Sequence, residues 1–407
     1  MKMMKSLILG SAVAFAATAG AQAADLPVKA KPVSYVKICP QYGPGFYYIP
    51  GTDICLKVGG LVFSEIGYGA TGAITHLTNP VAPVAQAYQE LNWRTRGYVA
   101  LDARQNTAYG TLRSYILAGF QQLNAGGAAP FAVNNGAFMQ YAFIQFAGFT
   151  AGTANSFFDF GANYLTLSVA SNPWNWANVF AYTANLGNGL SATISLEDKS
   201  TTRIGNGAVI ATQATGYDSP DIVANIRVDQ AWGSAQLMAA AHQTRWVQGD
   251  DWGWAIGAGV EFKLPVLGAG DTLKVVGVWS EGAIEYTGLS GSPYGGIGGI
   301  VVGYDGTGVG FLDAGVNVGD LTDASSIMVQ YRHFWAPNVH SAFHAGYNSV
   351  SSTTLGTYAQ ISQFGHSLKW SPVKDLTLAL DVLYTDISAN SVDSDNLATW
   401  FRVTRTF

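Results

Sequence analysis

Four arginines stand where their charge could act on passing solutes: Arg94 and Arg96 in "YQELNWRTRGYVALD", Arg113 in "TLRSYILAGF" and Arg402 in "LATWFRVTRTF". Each alternates with apolar neighbours, and on a strand alternate side chains share a face. Leu91, Trp93, Val99 and Leu101 take one face of the first stretch, leaving Asn92, Arg94, Arg96 and Tyr98 on the other. Leu112, Ile116 and Phe120 oppose Arg113, and Phe401 and Val403 oppose Arg402. A row of guanidinium groups at mid-strand, facing water, sorts and orients charged solutes without making or breaking a bond. Other constellations carry less chemistry. His340 and His344 would pair around a metal on a helix, but on a strand they stand about 13 Å apart. No Ser-His-acid set falls at facing positions, as nucleophilic catalysis would need. The Gly-rich run 291–310 lacks the Gly-Lys-Ser/Thr of a phosphate loop and reads as a long external loop. No metal, no cofactor and no enzymatic activity are expected, and no basic patch suited to nucleic acid is present.

The elements that must hold the arginines are legible in the same alternation. "LSATISLED" puts Leu190, Ala192, Ile194 and Leu196 on one face, and "DLTLALDVLYTD" puts Leu376, Leu378, Leu380, Val382 and Tyr384 opposite Thr377, Asp381 and Thr385. Only 12% of the chain is charged, while 48% is hydrophobic and Gly alone counts 48. That is too few charges to cover a water-facing surface of this size. The start "MKMMKSLILGSAVAFAATAGAQA" has the basic, apolar and small-residue regions of a secretory signal peptide, with cleavage predicted between Ala23 and Ala24. After it no run approaches the roughly 18 consecutive apolar residues of a membrane helix. With lipid on the outside and no spanning helix, the structure left is a closed β-barrel.

Sixteen strands are predicted, near 55–69, 88–104, 107–120, 136–149, 151–157, 178–186, 189–199, 219–229, 232–247, 252–264, 271–282, 324–335, 338–349, 359–371, 375–387 and 396–407. Short turn signals such as "LGNG", "PVLGAG" and "WAPN" alternate with long connections near 70–87, 121–135, 157–178, 199–218, 283–322, 350–358 and 388–396. Short turns on one side and long loops on the other are the asymmetry of an outer-membrane barrel. The expected organisation is a signal peptide at 1–23, a periplasmic segment at 24–54 and a transmembrane antiparallel barrel at 55–407.

Four stretches are similar to the general porins of alphaproteobacteria: "ADLPVKAKP", "CPQYGPGFYYIPGTDICLKVGG", "YAFIQFAGFTAGTANSFFDF" and the closing "RTF". The resemblance spans the mature chain and is most specific over 39–60. It implies a passive diffusion channel in the Gram-negative outer membrane, embedded in lipid and lipopolysaccharide and assembled as a homotrimer. In an oxidising periplasm it also implies a disulfide between Cys39 and Cys55. Phe46, Tyr47 and Tyr48 then serve either as interfacial or subunit aromatics or as packing beneath the bridge. Phe407 resembles the terminal aromatic that barrel-assembly machinery reads, and Ala24-Asp25 resembles a peptidoglycan tether. In the family the third loop folds into the lumen, which here brings Asp159, Tyr164, Trp174 and Trp176 opposite Arg94, Arg96, Arg113 and Arg402. The loop departs from an acid-rich pattern, and strand one has Leu61 and Phe63 where a basic residue is usual. Weak ion selectivity follows, with anions the side it would favour. Alternatives are a sugar-type selective channel, encouraged by Trp174 and Trp176, and a plugged structural or adhesive barrel.

Overall fold

A computed structural model describes residues 37–69, 91–124, 136–167, 169–173, 176–198, 218–246, 248–289, 313, 318–352, 357–389 and 392–407. The predicted signal peptide, the Ala24-Asp25 start, Trp174 and the Gly-rich run 291–310 lie outside these residues.

Alternation becomes strand throughout. A two-residue strand β1 (Tyr47–Tyr48) precedes β2 (Cys55–Tyr68), β3 (Leu91–Thr107), β4 (Gly110–Asn124), β5 (Gly136–Phe146), β6 (Phe149–Asn155), β7 (Trp176–Gly187), β8 (Leu190–Asp198) and β9 (Asp221–Gln230). They continue as β10 (Gly233–Trp246), β11 (Gly249–Lys263), β12 (Thr272–Glu281), β13 (Asp323–Ala336), β14 (Val339–Ser352), β15 (Thr357–Val373), β16 (Leu376–Ala389) and β17 (Val392–Thr406). Each of the sixteen longer strands pairs antiparallel with its neighbours in chain order, and β17 returns to β2, closing the barrel. Phe407 completes that seam, its amide and carbonyl each bonding Gly60 at 3.0 Å. The boundaries match the prediction to within a few residues. β11 starts three residues early, at Gly249, so that Asp250 sits in the ladder opposite Arg245.

The hydrophobic pattern is inverted relative to a water-soluble protein. Phe180, Leu237, Phe364 and Ile194 stand exposed on the outside, whereas Glu197, Gln330, Gln363 and Asp381 are buried on the inside. This is what a barrel in lipid requires, because every backbone polar group is paired and only apolar side chains meet the acyl tails. Exposed aromatics gather near both rims, with Trp232, Phe262, Trp335 and Trp370 at the short-turn end and Trp93, Trp252, Trp279 and Tyr358 at the other.

The short connections carry their own chemistry. β7 and β8 turn through Asn188 and Gly189, with φ of 51° and 74°, the left-handed pair of the hairpin turn whose twist suits flanking strands. The turn between β11 and β12 is organised by Asp271. Its carboxylate accepts from the Phe334 amide at 2.9 Å, the Tyr331 hydroxyl at 2.7 Å and His333 Nδ1 at 2.7 Å. Burial works to raise this carboxyl, but the hydrogen bonds from His333, Phe334 and Tyr331 outweigh it and hold it below the usual carboxylate range. A depressed folded value contributes stability that is present above the unfolded carboxyl range and lost as pH falls through the folded value. Asp271→Asn is therefore expected to lower the melting temperature of the detergent-solubilised barrel at pH 7 and to narrow the gap to the parent at pH 3. An equal gap at both pH values would contradict this.

Candidate functional site

The inner wall near the seam is built from β17, β2, β3 and β4, which are consecutive neighbours. Their register sets Glu65 of β2 opposite Arg94 on one side and Arg402 on the other. Glu65 is 2% exposed and Arg94 5%. One Glu65 oxygen accepts from Arg94 Nε; the other accepts from Arg402 Nε and, at 2.8 Å, from the Trp400 indole. Phe63, one step along the same face, lies beneath both guanidinium groups, 5.6 Å from Arg94 and 4.4 Å from Arg402. The inward position of Phe63 thus has a use. Phe63 supplies a ring for two cations to stack on.

Arg96 points inward one step along from Arg94. It donates to Gln121 at 2.7 Å and Tyr98 at 3.1 Å, and its guanidinium lies 4.9 Å from the Phe138 ring. Among the described residues no carboxylate pairs with it, so its charge faces the lumen uncompensated.

Arg113 belongs to a different level. It stands opposite Arg104, three residues from the turn after Thr107, and both guanidinium groups hold Asp102 at 2.7–3.0 Å. Ten residues of β3 separate Arg94 from Arg104, roughly 33 Å along the strand. The expected four-arginine wall at one level is therefore corrected to Arg94, Arg96 and Arg402, with Arg94 and Arg96 toward the long-loop end of β3 and Arg113 at the short-turn mouth. The alternation placed Arg113 on the inner face but carried no information about height.

That mouth is also where the first described residues fold back. Cys39 and Cys55 form a disulfide, both fully buried, with Phe46 packed against it at 4% exposure. Arg104 stacks 5.0 Å from Phe46, and Tyr42 donates to Asn106 at 2.5 Å. Phe46 therefore packs with the bridge, the second of its two readings. Closing a loop of this length removes about 3 kcal/mol of chain entropy from the unfolded state.

The segment after β6 lies against the rest of the inner wall, as far as β16 beside the arginine-bearing β17. Its backbone is caught by inward side chains of successive strands. The Phe157 amide donates to Glu197 at 2.8 Å and the Tyr164 amide to Gln330 at 3.0 Å. The Thr166 and Leu167 amides donate to Asp381 at 2.5 and 2.8 Å, and the Ala170 amide to Gln363 at 2.7 Å. Lysines bind it from below, Lys274 to the Ala162 carbonyl at 2.6 Å and Lys369 to the Tyr164 carbonyl at 2.7 Å. Phe158, Leu165 and Leu167 bury their side chains in the apolar cluster that the segment shares with the wall and Tyr286. The fit is close. A Cβ on Gly346 would stand 2.1 Å from Ser171 Oγ, so β14 keeps glycine where the segment presses on it. Peptide groups that leave a sheet must find partners, and the inner wall supplies them from β8 to β16.

The residues expected in this segment are distributed as follows. Tyr164 lies in it and donates to Glu261 at 2.5 Å. Asp159 lies at its start, where its carbonyl accepts from Gln236 at 3.3 Å; the carboxylate that Arg94 and Arg402 meet is Glu65. Trp176 is the first residue of β7, paired with Asn155, and shares the outer face of β7 with Phe180 and Tyr182. The expectation of Trp176 inside the constricting loop is corrected, because β6–β7 pairing continues that far. Glu65 was the residue missed. Its signal was its parity with Leu61 and Phe63, but its contact with Arg94 depends on a register set across residues 69–90.

Compared with known proteins, residues 25–404 match a family described as "Porin subfamily". An outer membrane protein of Sinorhizobium fredii, y4fJ, is 34% identical over 168 residues, 41% of this chain and 47% of that protein. Porin Omp2b of Brucella melitensis is 32% identical over 243 residues, 57% of this chain and 64% of that protein. The matched stretches thus span about half to just under two thirds of these relatives. Among solved structures, the outer membrane channel DcaP of Acinetobacter baumannii superposes with a TM-score of 0.68 at 14% identity, covering 88% of this chain and 99% of that one. The anion-selective porin of Comamonas acidovorans gives 0.51 at 11% identity, covering 87% and 100%. At such identities these structures speak for the fold alone.

Proposed function

The chain belongs to the Porin subfamily, and on that premise we propose that it forms a passive diffusion channel for small hydrophilic solutes and ions across the outer membrane. One observation carries the reading. It is a closed barrel, greasy outside and polar within, with Arg94, Arg96 and Arg402 on one stretch of its inner wall and the described part of the 156–173 segment held along other inward side chains, Asp381 among them. A segment held along the inner wall narrows the lumen, and the fixed charges act on whatever passes. Glu65 offsets one of the three arginine charges, so the eyelet keeps a small cationic surplus and should weakly favour anions. The chemistry is that of a channel and not of an enzyme. The trimeric assembly, recognition of Phe407 by barrel-assembly machinery and a peptidoglycan tether at Ala24-Asp25 belong to the same proposal and rest on the family resemblance.

The test is conductance of purified protein in planar bilayers under a salt gradient. Stepwise insertion of open channels with a modest anion-leaning reversal potential is expected. A silent bilayer, or a cation preference above about tenfold, would overturn the reading.

A further inference from the structure

At the short-turn end of the lumen a recess of about 350 Å³ lies between the 160–164 stretch and the barrel wall. That is room for roughly twelve waters at about 30 Å³ each. Its lining brings together Arg227, Lys274, Arg332 and Lys369 against a single carboxylate, Glu261. The four cations come from four strands, and all sit within a few residues of the turns that join β9 to β10, β11 to β12, β13 to β14 and β15 to β16. Arg227 is accounted for, since Asp229 takes its Nε and Nη2 at 2.8 Å each. Lys274 shares Glu261 at 3.6 Å, and that carboxylate already accepts the Tyr164 hydroxyl. Lys369 reaches only a carbonyl, that of Tyr164. Arg332 forms no ion pair among the described residues, and its buried Nε has no hydrogen-bond partner there. Its guanidinium rests 4.8 Å from the Tyr164 ring, whose face also takes Lys274 at 4.3 Å.

Holding like charges together in a confined space is unfavourable unless a counter-charge joins them. The recess has the donors for one. A planar guanidinium offers a two-pronged grip on an oxyanion, and two ammonium groups approach as point charges from β12 and β15, on either side of the strand that carries Arg332. We propose that this recess is a binding site for a phosphoryl group, free or carried on a small polar solute, with Arg332 and Lys369 as its principal ligands and Lys274 in support. A tetrahedral dianion accepts from several directions at once, which suits donors converging from separate strands. The volume exceeds what inorganic phosphate needs and leaves space for a short polyol beside the Tyr164 ring. The site rests on the channel reading only in that the lumen gives the solute access.

Two measurements test it. Inorganic phosphate, added to one side and then the other of a bilayer holding channels in potassium chloride, is expected to reduce the current saturably, more strongly from the short-turn side. Arg332→Gln or Lys369→Gln is expected to raise the half-blocking concentration by about tenfold, while Arg332→Lys recovers part of the effect. Comparing phosphate with glycerol 3-phosphate separates a free-ion site from one that also holds the polyol. Titration calorimetry of the detergent-solubilised protein reads the same site without needing an open pore, and should give one phosphate per chain, weakened about tenfold in Arg332→Gln. Absence of saturable heat in the parent, or binding by both glutamine variants as tight as the parent's, overturns the proposal. Phosphate binding in a protein that never opens would retain the site and sink the channel reading.

Discussion

A barrel carrying Glu65→Ala is expected to melt at a lower temperature and to pass a larger share of its current as anions. Glu65 is the shared acceptor for Arg94, Arg402 and Trp400, and it is 2% exposed. Removing one partner of a buried ion pair leaves the other charge stranded, at a cost of about 3–5 kcal/mol. A hydrated lumen moves this toward the lower end, since water reaches Arg402 more easily than Arg94. The same deletion removes the only carboxylate that touches the eyelet arginines among the described residues, so the cationic surplus grows. Glu65→Gln separates the two effects. Its single amide oxygen replaces only one of the two acceptors and its NH2 meets a donor, so only part of the stability should return, while the anion preference persists. Unfolding in detergent and reversal potentials are the readouts. A variant with parental melting and parental selectivity would remove Glu65 from the account.

Asp381→Ala is expected to loosen the 156–173 segment, raising single-channel conductance and adding open-channel noise. Asp381 is fully buried, and its Oδ2 holds the Thr166 and Leu167 amides while Oδ1 accepts Ser367 Oγ at 2.5 Å. Hydrogen bonds to a charged acceptor contribute about 1.5–3 kcal/mol each, so the loss is roughly 3 kcal/mol or more at one point of attachment. Gln330 and Gln363 hold the chain on either side of the break, so the segment should sag locally and the barrel should still assemble. Ser367→Ala is the control, because it keeps both amide contacts and should leave the current unchanged. A smaller or unaltered conductance in Asp381→Ala would mean that the segment does not set the aperture.

The barrel was readable to within a few residues per strand because its cause is local. A strand in lipid alternates every second residue, and Leu190 through Leu196 or Leu376 through Tyr384 display that rhythm with no help from the rest of the chain. The inner face of Asp381 was legible for the same reason. Its task was not, because the amides it binds lie more than two hundred residues earlier. Trp176 was misplaced for a related reason. Where a strand begins beyond a loop is set by how far its partner, β6, continues to pair.

What the sequence by itself determined is parity: which side chains meet lipid, which meet the lumen, and that Cys39 and Cys55 are the two thiols available to each other. What only the tertiary structure decided is height and partnership. Arg113 shares a face with Arg94 yet sits far down the wall, and Glu65 reaches two arginines because closure brings β17 and β3 to either side of β2. Parity repeats with the chain and needs no neighbours. Register is fixed by pairing across long connections, where the energies that choose it belong to the closed barrel as a whole.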